Sequence, residues 1–253
     1  MNKKYILLEE GLKALKLNAC KLLICVGEAG FGKSFNIFSY LEREKQTYKS
    51  INAYATPLSM YEQLYLNRDK DFIIFDDLEG IQDIKIISLL KGACWGVLKK
   101  EGEVSYYSTS KVLQERGLPP NFSIRANIVL ILNEIPKGFK PIIDRGLKVN
   151  FYFSFKEKLE IFEEMKVKAG IDQEVLDYVK VNCNEAHENI SLRTLLNLSR
   201  LKANGLDWLG FAKETFKVSD EQDLLFKLNA EEWCKMTGLS RATYFNHRKS
   251  HGV

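Results

Sequence analysis

With 253 residues, 45% of them apolar, the chain is long enough to bury a substantial core and to form one or two domains. No apolar run approaches the roughly 20 residues of a membrane span, and Met1-Asn2-Lys3-Lys4 is soon followed by Glu9 and Glu10, so neither a secretion signal nor a membrane partner is expected and the predicted location is cytoplasmic. A formal net charge of +4 is too small to imply nucleic acid by itself, and five cysteines without CxxC spacing argue against a disulfide framework or a zinc site, leaving Cys183 with His187 as the nearest thing to a ligand pair.

In chain order, Lys21 to Val26 reads as a short buried strand and Ser34 to Glu44 as a helix. Between them, Gly27-Glu28-Ala29-Gly30-Phe31-Gly32-Lys33-Ser34 fits G-x-x-x-x-G-K-[ST]. Glycines let successive N–H groups turn inward as a nest, and the helix that follows adds its positive end, which together favour phosphate oxygens. On this reading Lys33 reaches the β and γ phosphates and Ser34 places its hydroxyl on Mg²⁺, so ATP and Mg²⁺ are the expected ligands.

Thr47 to Ala53 reads as a second strand, and Thr56-Pro57 starts a helix carrying Leu58, Tyr61, Leu64 and Tyr65 on one side. The run Phe72-Ile73-Ile74-Phe75 then ends in Asp76-Asp77, the form of a buried parallel strand that delivers acid to a sheet edge. Asp76 is placed to hold Mg²⁺ and Asp77 to orient or deprotonate a water. Ile128 to Leu132 ends in Asn133, a polar residue at the edge where open α/β sheets keep their ligands, suited to the attacking water or the γ phosphate. Asp144-Arg145-Gly146 precedes a further strand, Val149 to Phe153, and Arg145 is a candidate finger reaching into a neighbouring subunit. From Ser154 the pattern turns helical: Ser154 with Glu157 fits a capping box, Asp172 caps a second helix, and Ser191 starts a third that carries Arg193 on its first turn. Position alone leaves Arg193 either aimed at the phosphates or solvated.

From Ser219 to Glu232 five acids face one lysine, whereas from Trp233 to Val253 there are four lysines or arginines and no acid. Asn229 with Glu232 forms another capping box, the helix it starts stops at Thr237-Gly238, and Ser240 caps a last helix from Arg241 to Lys249. Phe245 is expected to face inward, with Arg241, Thr243, Tyr244, Asn246 and Arg248 outward for base edges and Ser240 and Lys249 for phosphates. This segment resembles a helix-turn-helix of phage and mobile-element proteins; the alternative is a helical pair that packs on its neighbours.

The ordered set of phosphate loop, Asp76-Asp77 strand, Asn133, Asp144-Arg145 and Ser191-Leu192-Arg193 resembles the AAA+ ATPases over roughly Tyr5 to Phe216. The resemblance implies an α/β fold with a parallel sheet in the order 5-1-4-3-2, a P-loop ATPase core over 1–153 and a helical lid over 154–216; the separate resemblance of the last segment adds a helix-turn-helix DNA-binding domain over 217–253. It also implies a homo-oligomeric ring, such as a hexamer. Asp76-Asp77 departs from the usual Asp-Glu, looks more like helicase loaders and insertion-sequence ATPases, and leaves Glu79 as an alternative catalytic acid. A stretch from Gly92 to Pro120 includes Gly102 to Ser108, a candidate hairpin, and Lys99, Lys100 and Lys111, which either contact DNA or are solvated. The expected activity is ATP hydrolysis by an oligomer acting on DNA, as a helicase or remodelling motor in the replication or mobility of a virus, plasmid or integrated element, with a replication or recombination partner. A non-motor switch such as a helicase loader or transposition regulator, and an ATP-regulated transcription factor, are the alternatives.

Overall fold

The computed structural model describes residues 2–52, 55–77, 80–95, 101–107, 111–217, 225, 228–237 and 239–250. The chain divides into two units, Met1–Tyr152 and Phe153–Val253.

The first unit opens with a helix absent from the sequence reading, α1 (Lys3–Lys16), which Asn2 caps by accepting from the Lys4 N–H. Its buried Leu8, Leu12 and Leu15 recur at helical spacing and turn one stripe inward. After it come β1 (Leu22–Gly27), α2 (Lys33–Arg43), β2 (Tyr48–Ile51), α3 (Pro57–Leu66), β3 (Phe72–Asp76) and α4 (Ile84–Ala93). A short antiparallel pair, β4 (Gly102–Ser105) and β5 (Asn121–Ile124), encloses the single turn α5 (Val112–Glu115). The candidate hairpin of the sequence thus has its first strand at Gly102–Ser105; Lys111 is exposed, and Lys99 and Lys100 lie outside the described residues. The unit closes with β6 (Asn127–Leu132), α6 (Lys140–Ile143) and β7 (Leu147–Phe151).

Five strands form one parallel sheet in the order β2-β3-β6-β1-β7. Counted among themselves in chain order these are strands 2-3-4-1-5, the expected 5-1-4-3-2 read from the other edge. β1 and β6 are buried along their whole length, as their unbroken apolar runs require of central strands, whereas β2 and β7 alternate with exposed positions and sit at the edges. Because every strand runs the same way, the carboxyl ends of β1, β3 and β6 meet at one sheet edge. The register places Val26 beside Leu132 and Asp76 beside Ile131.

The second unit is helical: α7 (Phe155–Ala169), α8 (Gln173–Asn182), α9 (Leu192–Ala203), α10 (Trp208–Thr215), α11 (Ala230–Thr237) and α12 (Arg241–Ser250). The caps act as their residue types predict. Ser154 and Glu157 close a full capping box on α7, Asp172 accepts from the Glu174 and Val175 N–H groups, and Ser191 accepts from the Thr194 N–H. Asp172 also pairs with Lys202 at 2.6 Å, tying the start of α8 to the end of α9. Ala186, Leu225, Leu228, Ala230, Trp233 and Tyr244 form a separate small core, so the last two helices are held to the loop before α9 by their own apolar cluster.

Candidate functional site

The loop from β1 to α2 has the backbone that its glycines permit. Gly27, Gly30 and Gly32 take φ of 137°, 79° and 71°, values that side-chain-bearing residues rarely adopt. At Gly27 there is also no room for a side chain, since a Cβ would lie 2.4 Å from the Phe151 carbonyl oxygen. Gly32 is the N-cap of α2 and brings no side chain to it, and the first helical bond is from the Asn36 N–H to the Gly32 carbonyl. The N–H groups of residues 32–35 therefore have no acceptor within the helix, and with the helix dipole they make an anion-binding end.

Lys33 is only 6% exposed, and its ammonium donates to the Gly27 carbonyl at 2.5 Å and the Glu28 carbonyl at 2.8 Å. Burial pushes its pKa below the ordinary lysine value, against the opposing pull of Asp77, Cys25, Asp76 and Glu28. The loop is braced from two sides. The Glu28 N–H donates to the Phe151 carbonyl at 3.0 Å, and the Tyr5 hydroxyl of α1 donates to the Phe31 carbonyl at 2.8 Å. Phe31 itself is buried. Beneath the loop the Cys25 thiol, fully buried, is pushed up to about 12 by desolvation and stays protonated.

At the end of β3, Asp76 is half-buried and Asp77 exposed, with Asp77 in the left-handed region at φ 50°. That turn is held by the Asp77 N–H on the Ile131 carbonyl and by Asn133 Nδ2, which donates to Asp77 Oδ1 at 2.9 Å. The sheet thus brings Asp77 and Asn133 into direct contact, and both Asp76 and Asp77 are near enough to act on the Lys33 charge. Tyr152, just past β7, donates its hydroxyl to the Asn133 carbonyl at 3.3 Å. Glu79, the alternative acid, lies outside the described residues.

Arg145 is half-buried. Its guanidinium lies 5.3 Å from the centre of the Trp95 ring and donates to the Pro141 carbonyl, while its Nε is buried without a partner. The neighbouring Trp95 face was not foreseen from sequence. Arg193, in the second unit, is exposed on the first turn of α9. Among the described residues no three His, Cys, Asp or Glu side chains are grouped to hold a metal ion, and His187 Nδ1 is engaged with Asn184.

The C-terminal helices correct one expectation. Tyr244 is 2% exposed and faces inward, with its ring 5.6 Å from that of Trp233 and its hydroxyl donating to the Leu228 carbonyl at 2.9 Å. Phe245, expected inside, is 57% exposed. Tyrosine wins the inner position because its polar tip meets a carbonyl there, so the whole side chain can be buried with its hydrogen bond kept. Tyr244 is therefore not available to a ligand. Ser240, Arg241, Asn246 and Lys249 are exposed, whereas Thr243 is half-buried beside Ser240 and Arg248 reaches back to the Tyr244 hydroxyl at 2.9 Å. Asn229 and Glu232 form the predicted reciprocal cap on α11, and Ser240 accepts from the Thr243 N–H. Trp233 is fully buried at the centre of this cluster. Trp233→Ala should cost about 3–5 kcal/mol, the range for removing a large aromatic core side chain. Amide hydrogen exchange would register this as faster exchange across 228–250.

No protein-family model matches the chain. A curated relative, the uncharacterized 36.7 kDa protein in the nrdC-mobD intergenic region of Enterobacteria phage T4, is 30% identical over 205 residues. The match covers 70% of this chain and 62% of the relative, so the chain spans less than two thirds of that protein. Among solved structures, the Thermotoga maritima RuvB Holliday junction branch migration motor is similar with a TM-score of 0.52 at 12% identity, covering 98% of this chain and 87% of the motor. A mutant of the same protein gives a TM-score of 0.51, again at 12% identity, over 97% of this chain and 86% of that one. At such low identity the likeness is one of fold, an α/β architecture built on a parallel sheet, as the sequence led us to expect. No helix among the described residues is long and apolar enough to cross a membrane.

Proposed function

We propose that this protein binds and hydrolyses ATP and acts on DNA as an oligomer, in the replication or mobility of a virus, plasmid or integrated element. The observation that carries the reading is the convergence at one sheet edge of the glycine loop, buried Lys33, and the contacting pair Asp77 and Asn133.

In this reading the N–H groups of Gly30 to Ser34 cradle phosphate oxygens, and Lys33 exchanges its carbonyl partners for the β and γ phosphates. The Ser34 hydroxyl and Asp76 would hold Mg²⁺. One carboxylate and one hydroxyl would suffice, because Mg²⁺ usually takes one or two carboxylates and completes its shell with phosphate and water. Bound Mg²⁺ would neutralise charge developing on the phosphate oxygens. Asp77, aimed by Asn133, orients the attacking water and accepts its proton.

DNA is assigned to α12. Its exposed Arg241, Asn246 and Lys249, with Ser240 at its cap, offer donors to base edges and phosphates, and the helix carries no acid to repel the backbone. In this reading α11 and α12 act as a helix-turn-helix, with Arg248 supplementing from the side. The phage relative supports the viral setting.

A second reading, a non-motor switch such as a helicase loader or transposition regulator, is favoured by the engagement of Arg145 with Trp95 and Pro141, which withholds it from any other site until released. ATP turnover measured against protein concentration, with and without DNA, separates the two. Stimulation by DNA that rises more than linearly with protein supports the motor; ATP binding with negligible turnover under all these conditions supports the switch.

A further inference from the structure

The N-terminal helix α1 contributes to the phosphate loop one polar contact that the sequence reading did not anticipate. The Tyr5 hydroxyl donates to the Phe31 carbonyl at 2.8 Å, across 26 residues. Tyr5 is itself held in place, its ring set edge-on to Phe151 with centroids 5.6 Å apart, and α1 is seated by the buried Leu8, Leu12 and Leu15.

We propose that Tyr5 is a positioning residue for nucleotide binding, fixing the peptide between Phe31 and Gly32 so that the Gly32 N–H is presented to a phosphate oxygen; this rests on the ATP-site reading above. The reasoning starts from the planar trans peptide, in which the C=O of one residue and the N–H of the next point to opposite sides. The protein has no cis peptide bond among its described residues. With the Phe31 oxygen drawn toward α1, the Gly32 N–H is turned away from α1. The same logic is visible one turn earlier in the loop. There the Glu28 N–H is bonded to Phe151 on one side, and the Gly27 oxygen of the same peptide accepts from Lys33 on the other.

Gly32 needs such a brace more than its neighbours do. As the N-cap of α2 it has an N–H with no acceptor within the helix, and at φ 71° it carries no side chain to hinder a flip of the preceding peptide. A flipped peptide would present the Phe31 oxygen where the donor belongs, replacing attraction for phosphate by repulsion. The buried Phe31 side chain anchors one end of that peptide and the Tyr5 hydroxyl fixes its rotation.

The test is Tyr5→Phe, which keeps the ring against Phe151 and removes only the hydroxyl. A fluorescent ATP analogue with Mg²⁺ is titrated into the wild-type, Tyr5→Phe and Lys33→Ala proteins, alongside thermal melts and the amide ¹⁵N–¹H signal of Gly32. The expected result is about a fivefold weaker Kd for Tyr5→Phe, the scale of one aligning hydrogen bond, with an unchanged melting curve and a displaced or doubled Gly32 signal. An unchanged Kd and Gly32 signal in Tyr5→Phe, while Lys33→Ala loses binding, overturns the role of Tyr5 and leaves the ATP site standing. Wild-type binding by Lys33→Ala removes the ATP-site reading itself.

Discussion

Lys33→Ala should reduce ATP turnover to background while leaving the fold intact. The ammonium sits 6% exposed at the mouth of the glycine loop, bonded to two backbone carbonyls and within reach of two carboxylates. No other lysine or arginine in the loop can take its place, because Gly27 to Gly32 contain none. Removing it takes away a positive charge that acts on Asp76 and Asp77 where a polyphosphate must approach, so the loss combines missing attraction with uncompensated repulsion. Folding should not suffer, since burial already disfavours the charged form of Lys33 and its lowered pKa marks it as a cost to the folded state. The sign of the pH effect follows. The wild-type ammonium is lost as pH rises through a value below that of ordinary lysine, so nucleotide affinity should decline on the alkaline side, and Lys33→Ala should lack that decline. ATP hydrolysis, a melting curve and a binding titration across pH check all three statements; turnover at the wild-type level in Lys33→Ala would exclude the loop as the site of catalysis.

Much of this site could be read from sequence because its geometry is dictated locally. Glycine is the residue that tolerates the φ values of the loop, and the unbroken apolar runs of β1 and β6 specify central parallel strands, so the loop, Asp76 and Asn133 had to meet at one edge. What escaped depends on contacts between distant segments. Leu8, Leu12 and Leu15 do mark α1 by their spacing, yet nothing local says that Tyr5 reaches Phe31 or that Tyr152 reaches the Asn133 carbonyl. The exchange of Tyr244 and Phe245 has the same origin. Two adjacent aromatic residues on a short helix differ by about 100° in direction, and the choice between them was made by Trp233 and the Leu228 carbonyl, not by α12 itself. Asp77 shows the reverse case: its adjacency to Asn133 was implied by strand order, but its left-handed backbone was not.

Arg145→Ala should keep ATP binding but lower hydrolysis by on the order of 10³-fold, the lower end of what an arginine acting across a subunit boundary supplies. Within its own subunit the guanidinium is occupied by the Trp95 face and the Pro141 carbonyl, and its buried Nε has no partner. That lone donor makes the resting arrangement incomplete, so a phosphate in a neighbouring subunit can compete for the side chain. Asp77→Asn should fail for a different reason, because the amide keeps a contact with Asn133 but cannot take a proton from water. If the proposed oligomer forms, the two defects lie on opposite sides of one shared site. Mixing Arg145→Ala with Asp77→Asn protein should restore part of the activity, since one class of interface pairs an intact Asp77 with an intact Arg145. Replacing Trp95 by alanine in the wild-type background should free the arginine and lower the protein concentration at which turnover begins. If the mixture stays as inactive as its components while both still bind ATP, Arg145 does not act across the interface, and its contacts with Trp95 and Pro141 are structural.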